Sequence, residues 1–353
     1  MLENSYDLAK EVIFTLSGKA GVTGYEHRLY PSLEEIFGSL DCHLDRDFMG
    51  NFYAGKKGDD GKLSVMLAAH MDEIGLMITH IDNRGFIHFT AVGGIDGRTL
   101  LCQEVIVHGK QEVKGIISSV PSKVQSNNAK NAIDISKLVI DIGYPKDIVL
   151  SLVKPGDIIS IKRTPFMLLN EKIAGKALDD RAGIAVLAVC FNELSKLNHR
   201  HNVLAVATVQ EEVGLRGATT SSNRLQPDLA VAIDVTHAQT LDTKSQVSIQ
   251  LGKGPAITVG PNIHPKIFTE LTGCARESRI PYQVQAVAGE TGTDARVIQL
   301  SGQGIPTGLI SIPLRYMHTS VETASLGDIV DSGKLLACFI AGLPEDAEDL
   351  LCC

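Results

Sequence analysis

Five stretches of this chain set imidazoles or carboxylates beside apolar runs. LSVMLAAHMDE reaches His70 and Asp72, and VLAVATVQEE reaches Glu211 and Glu212. LAVAIDVTH reaches Asp234, and GLISIPLRYMH reaches His318. The fifth, LNEKIAGKALDDRAG, places Asp179 and Asp180 just ahead of IAVLAVC and reads as a loop entering a helix. Imidazole and carboxylate ligands without thiolates suit catalytic zinc, cobalt or manganese rather than structural zinc. His70, Asp179, Glu212, Asp234 and His318 could hold two divalent ions if one carboxylate bridges them.

That set supports metal-assisted hydrolysis. Two divalent ions bring four positive charges; Asp179, Glu212 and Asp234 bring three negative ones, leaving a bridging hydroxide to balance the remainder. Metal binding lowers the pKa of water from about 15.7 toward 7, and two ions roughly 3.5–4 Å apart also polarise a carbonyl. Glu211 and Glu212 can divide the work, one binding metal while its neighbour moves the proton from water to the leaving amine. Asp72 can accept the second N–H of His70 and fix its tautomer.

Each motif alone has a plainer reading. HMD can be a polar loop, DDR a helix N-cap with an ion pair, EE a solvated face, and Asp234 the cap of a turn. The joint placement decides, because ligands in open α/β sheets gather beyond the carboxyl ends of the strands. His237, three residues past Asp234, could support the ligands from behind. His80 and His88 alternate along a strand, and His27, His43, His108, His199, His201 and His264 read as structural or surface residues. In GETGTDAR, Gly292 and Thr293 offer a backbone surface for substrate. Asp294 is read both as part of that surface and as the cap of the next helix. Nucleotide loops and G-x-S-x-G are absent.

The elements that must position these residues are α/β. Residues 3–17 and 25–39 have helical spacing, and the first strand lies near CHLDRDFMGNFYAG. LSVMLAAH, VLAVATV, LAVAIDV and GLISIPL are continuously apolar, as strands covered on both faces are. The expected fold is a mixed sheet flanked by helices, formed by residues 1–74 and 166–353. Residues 75–165 differ: MITHIDNRGFIHFTAV and EVIVHGKQEVKGIIS read as hairpins, predicting a small inserted all-β domain. SKVQSNNAKNAID, within it, is predicted to be a surface loop.

Composition narrows the functions. At 353 residues and 44% hydrophobic, the chain can bury a full core. With no Trp, 5% aromatics and a net charge of -8 that leaves no basic stripe, nucleic acid is not an expected partner. Seven cysteines without a CxxC pair suit reduced thiols and a cytoplasmic location. No signal peptide is read at the N-terminus, and no apolar run reaches the length of a membrane span.

With AAHMDEIGLMI, GKALDDRAG, TVQEEVGLRGA, AIDVTHA, GTDA and PLRYMHTSVE in this order, the chain resembles the tetrahedral (TET) aminopeptidases. These are cocatalytic two-metal exopeptidases related to glutamyl and deblocking aminopeptidases, some labelled cellulase M. The resemblance implies that His70, Asp179 and Asp234 hold one metal and Asp179, Glu212 and His318 the other. It implies Glu211 as general base, Asp72 as the partner of His70, and a cis peptide after Asp179. It also implies that the inserted domain dimerises and that dimers close into a hollow tetrahedral dodecamer admitting peptides. SVPSKVQSNNAK departs from the family in lacking a Pro-His pair, and Thr319-Ser320 stands where Ser-Pro is common.

The expected activity is therefore a metal-dependent aminopeptidase using two divalent ions, zinc or cobalt or manganese, on peptide substrates. Two rivals stand beside it. An endo-glucanase would need flanking carboxylates and usually aromatic sugar platforms; a two-metal deacylase or dipeptidase would keep the metals and change the bond.

Overall fold

The computed structural model describes residues 4–59, 62–119, 134–241 and 249–345. Its first strands are β1 (His43–Arg46), β2 (Phe52–Lys56) and β3 (Ser64–His70). Then come β4 (Gly75–Ile81), β5 (Ile87–Val92), β6 (Glu104–His108), β7 (Glu112–Ser119), β8 (Leu138–Asp141) and β9 (Ile158–Ile161). The remainder are β10 (Phe166–Met167), β11 (Lys172–Gly175), β12 (Asn202–Thr208), β13 (Leu229–His237), β14 (Ala256–Val259), β15 (Gln283–Ala286), β16 (Thr307–Arg315) and β17 (Glu322–Ser325).

The continuously apolar runs form the parallel centre of one 11-stranded mixed sheet, ordered β1-β2-β12-β3-β13-β16-β17-β11-β10, with β14 and β15 off that path. β12 and β13 both run parallel to β3, and β16 runs parallel to β13. Alternate residues serve opposite faces, which is why the runs show no polar alternation. Val65, Leu67 and Ala69 enter the larger core, while Met66 and Ala68 enter the smaller one behind the sheet.

The helices are α1 (Ser5–Ser17), α2 (Tyr30–Gly38), α3 (Lys146–Leu152), α4 (Leu178–Leu194), α5 (Arg216–Leu225), α6 (Pro265–Glu277), α7 (Ala295–Ile298) and α8 (Leu326–Gly342). α1 starts where the Asn4 side chain accepts the Tyr6 N–H, and it buries Leu8, Val12, Ile13 and Leu16. With α4 and α8 it covers one face of the sheet; α4 is buried nearly all round, with Leu187 and Phe191 in the larger core. Ala218 of α5 and Ile298 of α7 cover the other face.

β4 to β9 close into a separate barrel, ordered β4-β5-β8-β7-β6-β9, around Leu76, Ile87, Val105, Val107, Ile117, Ile140 and Ile159. This insert is the small β domain expected, with one short helix packed against the barrel. α3 adds Val149 to its core, because the apolar residues Val149, Leu152 and Val153 recur at helical rather than strand spacing. The polar stretch 122–134 lies, apart from Asp134, outside the described residues.

Candidate metal centre

β3 ends at His70, opposite Thr208 of β12. His70 Nε2 lies 3.0 Å from Asp179 Oδ1 and 3.9 Å from Glu211 Oε2. The other oxygen of Asp179 lies 3.3 Å from His318 Nε2, which is also 3.4 Å from Glu212 Oε1. Asp179 thus turns one oxygen to each imidazole, as a bridging carboxylate must. Ligand atoms converge within 4.8 Å in three overlapping groups: His70–Asp179–Asp234, Asp179–Glu212–His318 and His70–Glu211–Glu212. The first two have the membership that the sequence resemblance implies.

Local backbone explains these positions. The Asp179–Asp180 peptide is cis, and both residues are non-helical although α4 nominally begins at Leu178. The Asp180 carboxylate accepts the Gly183 N–H at 3.1 Å, and a Cβ at Gly183 would lie 2.3 Å from Asp180 Oδ2. Glu211 and Glu212 lie beyond β12 in a turn entered through Gln210, whose φ of 54° is left-handed. Asp234 is not at a strand end as expected, because β13 continues pairing with β16 as far as His237. His318 is in the loop between β16 and β17, also with a left-handed φ, 60°.

Asp72 is fully buried, but its oxygens do more than face His70. Oδ1 stands 3.6 Å from His70 Nδ1, too long for a hydrogen bond, while it accepts the Glu211 N–H at 3.1 Å. Oδ2 accepts from the Glu212 N–H at 3.3 Å and from Thr23 Oγ1 at 2.7 Å. Glu26 accepts the N–H groups of Gly24 at 2.8 Å and Gln210 at 3.0 Å. Thr23 and Glu26 were not legible as site residues, since nothing in TGYE marks which distant backbone it will meet.

Asp294 does not cap the following helix. Its own backbone is already helical, and the carboxylate is buried, accepting from Thr208 Oγ1 at 2.6 Å. Gly292 and Thr293 instead line a cavity of about 520 Å³ together with the ligands, Thr236, Gln285 and Met317. His237 is exposed and lines the same cavity. A second cavity shares Asp179, Glu212 and His318 but is otherwise bounded by Leu100, Gln103, Ile161, Lys176 and Glu322. Here the barrel touches the site: a Cβ on Gly94 would lie 3.0 Å from His318 Nδ1.

The electrostatics call for added positive charge. Burial pushes Glu211 up to about 10, with Asp234, Asp294 and Glu212 adding to it against the pull of His70. Burial likewise raises Asp234 well above the carboxylate range, helped by Asp179. Burial opposes a charged His70, but Glu211, Asp179 and Asp72 outweigh it and raise its pKa. Hydrogen bonds that the His318 ring donates to Asp179 and Glu212 push its pKa up to about 11. Burial also opposes charge on Asp179, yet the bonds to His318 and His70 hold it below the usual carboxylate range. Four carboxylates converge on two imidazoles in low dielectric, and this hard-to-borderline donor set fits two divalent ions.

The M42 glutamyl aminopeptidase family matches residues 50–335. The lysyl aminopeptidase of Pyrococcus furiosus is 34% identical over 336 residues, covering 94% of this chain and 95% of that protein. The TET aminopeptidase of the marine sediment archaeon Thaumarchaeota archaeon SCGC AB-539-E09 superposes with a TM-score of 0.92 at 29% identity, covering 99% of this chain and all of that one. The TET1 peptidase of Pyrococcus horikoshii, which can assemble into a tetrahedron or a large octahedral shell, gives a TM-score of 0.83 at 31% identity, with coverages of 94% and 99%.

Proposed function

The chain belongs to the M42 glutamyl aminopeptidase family, and we propose that it releases N-terminal residues from peptides with two divalent ions held by its five convergent ligands. The observation that carries this reading is Asp179, one oxygen facing His70 and the other facing His318. His70, Asp179 and Asp234 would hold one ion, and Asp179, Glu212 and His318 the other; zinc, cobalt and manganese all suit these donors. When bound, such ions would acidify water, polarise the scissile carbonyl and draw the Glu211 carboxyl down toward its ionised form.

Glu211 is left to handle the proton, receiving it from water and returning it to the departing amine. Asp72 steadies that base through its backbone N–H, so the carboxylate enters the reaction already oriented. The 520 Å³ cavity receives the N-terminal residue, with the Gly292–Thr293 loop along one wall. Among the described residues no Phe, Tyr or Trp lines it, which leaves a glucan without a stacking surface there.

The barrel serves as the dimerisation element, and the TET relatives support a tetrahedral dodecamer. Ile116, Tyr144, Ile148 and Leu150 are exposed on the insert and supply apolar area for such a contact. The five described cysteines are free, which supports a cytoplasmic, reducing location.

The test is hydrolysis of aminoacyl-p-nitroanilides by chelator-stripped protein before and after adding zinc, cobalt or manganese, with N-acetylated substrates and a β-glucan alongside. Metal-restored cleavage of free-amine substrates alone is expected. Cleavage of the acylated substrates would favour a deacylase, and chelator-resistant glucan hydrolysis a glycosidase.

A further inference from the structure

Glu322 joins two parts of the site through backbone alone. Its Oε2 accepts the N–H groups of Leu178 at 2.7 Å and Asp179 at 3.1 Å, while its Oε1 accepts that of His318 at 2.8 Å. The side chain is buried, 2% exposed. Glu322 opens β17 and pairs with Gly175 at the end of β11. The sheet therefore sets it between the loop that leaves β11 for Asp179 and the loop that leaves β16 for His318.

We propose that Glu322 is a positioning residue that presets the Asp179–Glu212–His318 pocket and leaves the His70–Asp179–Asp234 pocket largely to the strands. This rests on the two-metal reading. The difference between the pockets lies in what holds each ligand. His70 and Asp234 are on adjacent paired strands of the parallel centre. His318 is on a loop with left-handed backbone, its side chain 35% exposed, and the tie to Glu322 anchors its main chain.

The chemistry asks for a carboxylate of this length. All three groups facing Glu322 are donors, so an acceptor-only side chain satisfies them; Gln would turn its NH₂ toward one of them. Asp is shorter by one methylene and cannot span both loops. A purely structural role, satisfying buried N–H groups, would cost stability without distinguishing one metal pocket from the other.

The experiment titrates full-length, chelator-stripped protein with Co²⁺, following visible absorption and bound cobalt, for wild type, Glu322→Gln, Glu322→Asp and His318→Ala. Circular dichroism melts of the metal-free proteins run in parallel. Wild type is expected to bind in two steps. Both Glu322 variants should weaken, by about 10–100-fold, the step that His318→Ala abolishes, and the other step, which shares only Asp179 with it, by much less. No change in either step, equal weakening of both, or both Glu322 variants unfolded without metal would overturn the assignment. A wild type that binds no cobalt, or a single ion, would overturn the two-metal reading itself and this inference with it.

Discussion

Glu211 and Glu212 are neighbours with unequal surroundings. Glu212 faces His318, whereas Glu211 is the carboxylate whose backbone N–H ends on Asp72 Oδ1. Glu211→Gln is expected to retain both metals and lose about 10²–10⁴-fold in kcat, checked by elemental analysis beside p-nitroanilide turnover. Asp179→Ala removes the oxygen opposite each imidazole, so both metals should be lost together, again read by elemental analysis. Glu26 gives a pH prediction. Burial, with Asp72 adding, raises its pKa from 4.5 to about 7. The folded state then binds more protons than the unfolded state between those values, so this contribution is present below about 4.5 and is lost as pH rises through about 7. Glu26→Gln should flatten that decline, measured as Tm against pH from 4 to 8.

Elements carry the site in two ways, and only one was legible in the sequence. His70, Asp234 and the Glu211–Glu212 pair follow buried apolar runs, a pattern that burial on both sheet faces writes directly into composition. Asp179 was legible only in company, because an acidic pair ahead of an apolar helix also reads as an N-cap with an ion pair. What escaped were contacts between segments distant in sequence: Thr23 and Glu26 reaching the β12 turn, Glu322 reaching back to Asp179, and Asp294 turning to Thr208. Each is a polar residue whose partner is a backbone or hydroxyl group brought near by the fold. The barrel loop is another such case. Gly94→Val would push side-chain atoms against the His318 ring, and displacements near 1 Å can cost about 10²-fold in rate. Its kcat should fall while Gly94→Ala keeps part of the activity, with circular dichroism confirming an intact fold.

At the scale of the whole molecule, two units serve two tasks: the sheet and helices position the candidate ligands, and the barrel offers its apolar exterior. If the barrel builds the proposed assembly, Ile116→Asp combined with Ile148→Asp should shift it to smaller species in light scattering, while hydrolysis of small p-nitroanilides stays within about twofold, as surface changes away from a site usually allow. The order of the ligands along the chain also bears on how the protein is made. His70, Asp179, Glu211, Glu212 and Asp234 all precede His318, and Glu322 comes later still. Domains generally fold as units, and on the two-metal reading a nascent chain lacks one ligand pocket until β16 and β17 have been translated and join the sheet. On that reading, a peptidase built in this order is inert throughout most of its own synthesis, and gains its cutting centre only as β16 and β17 dock.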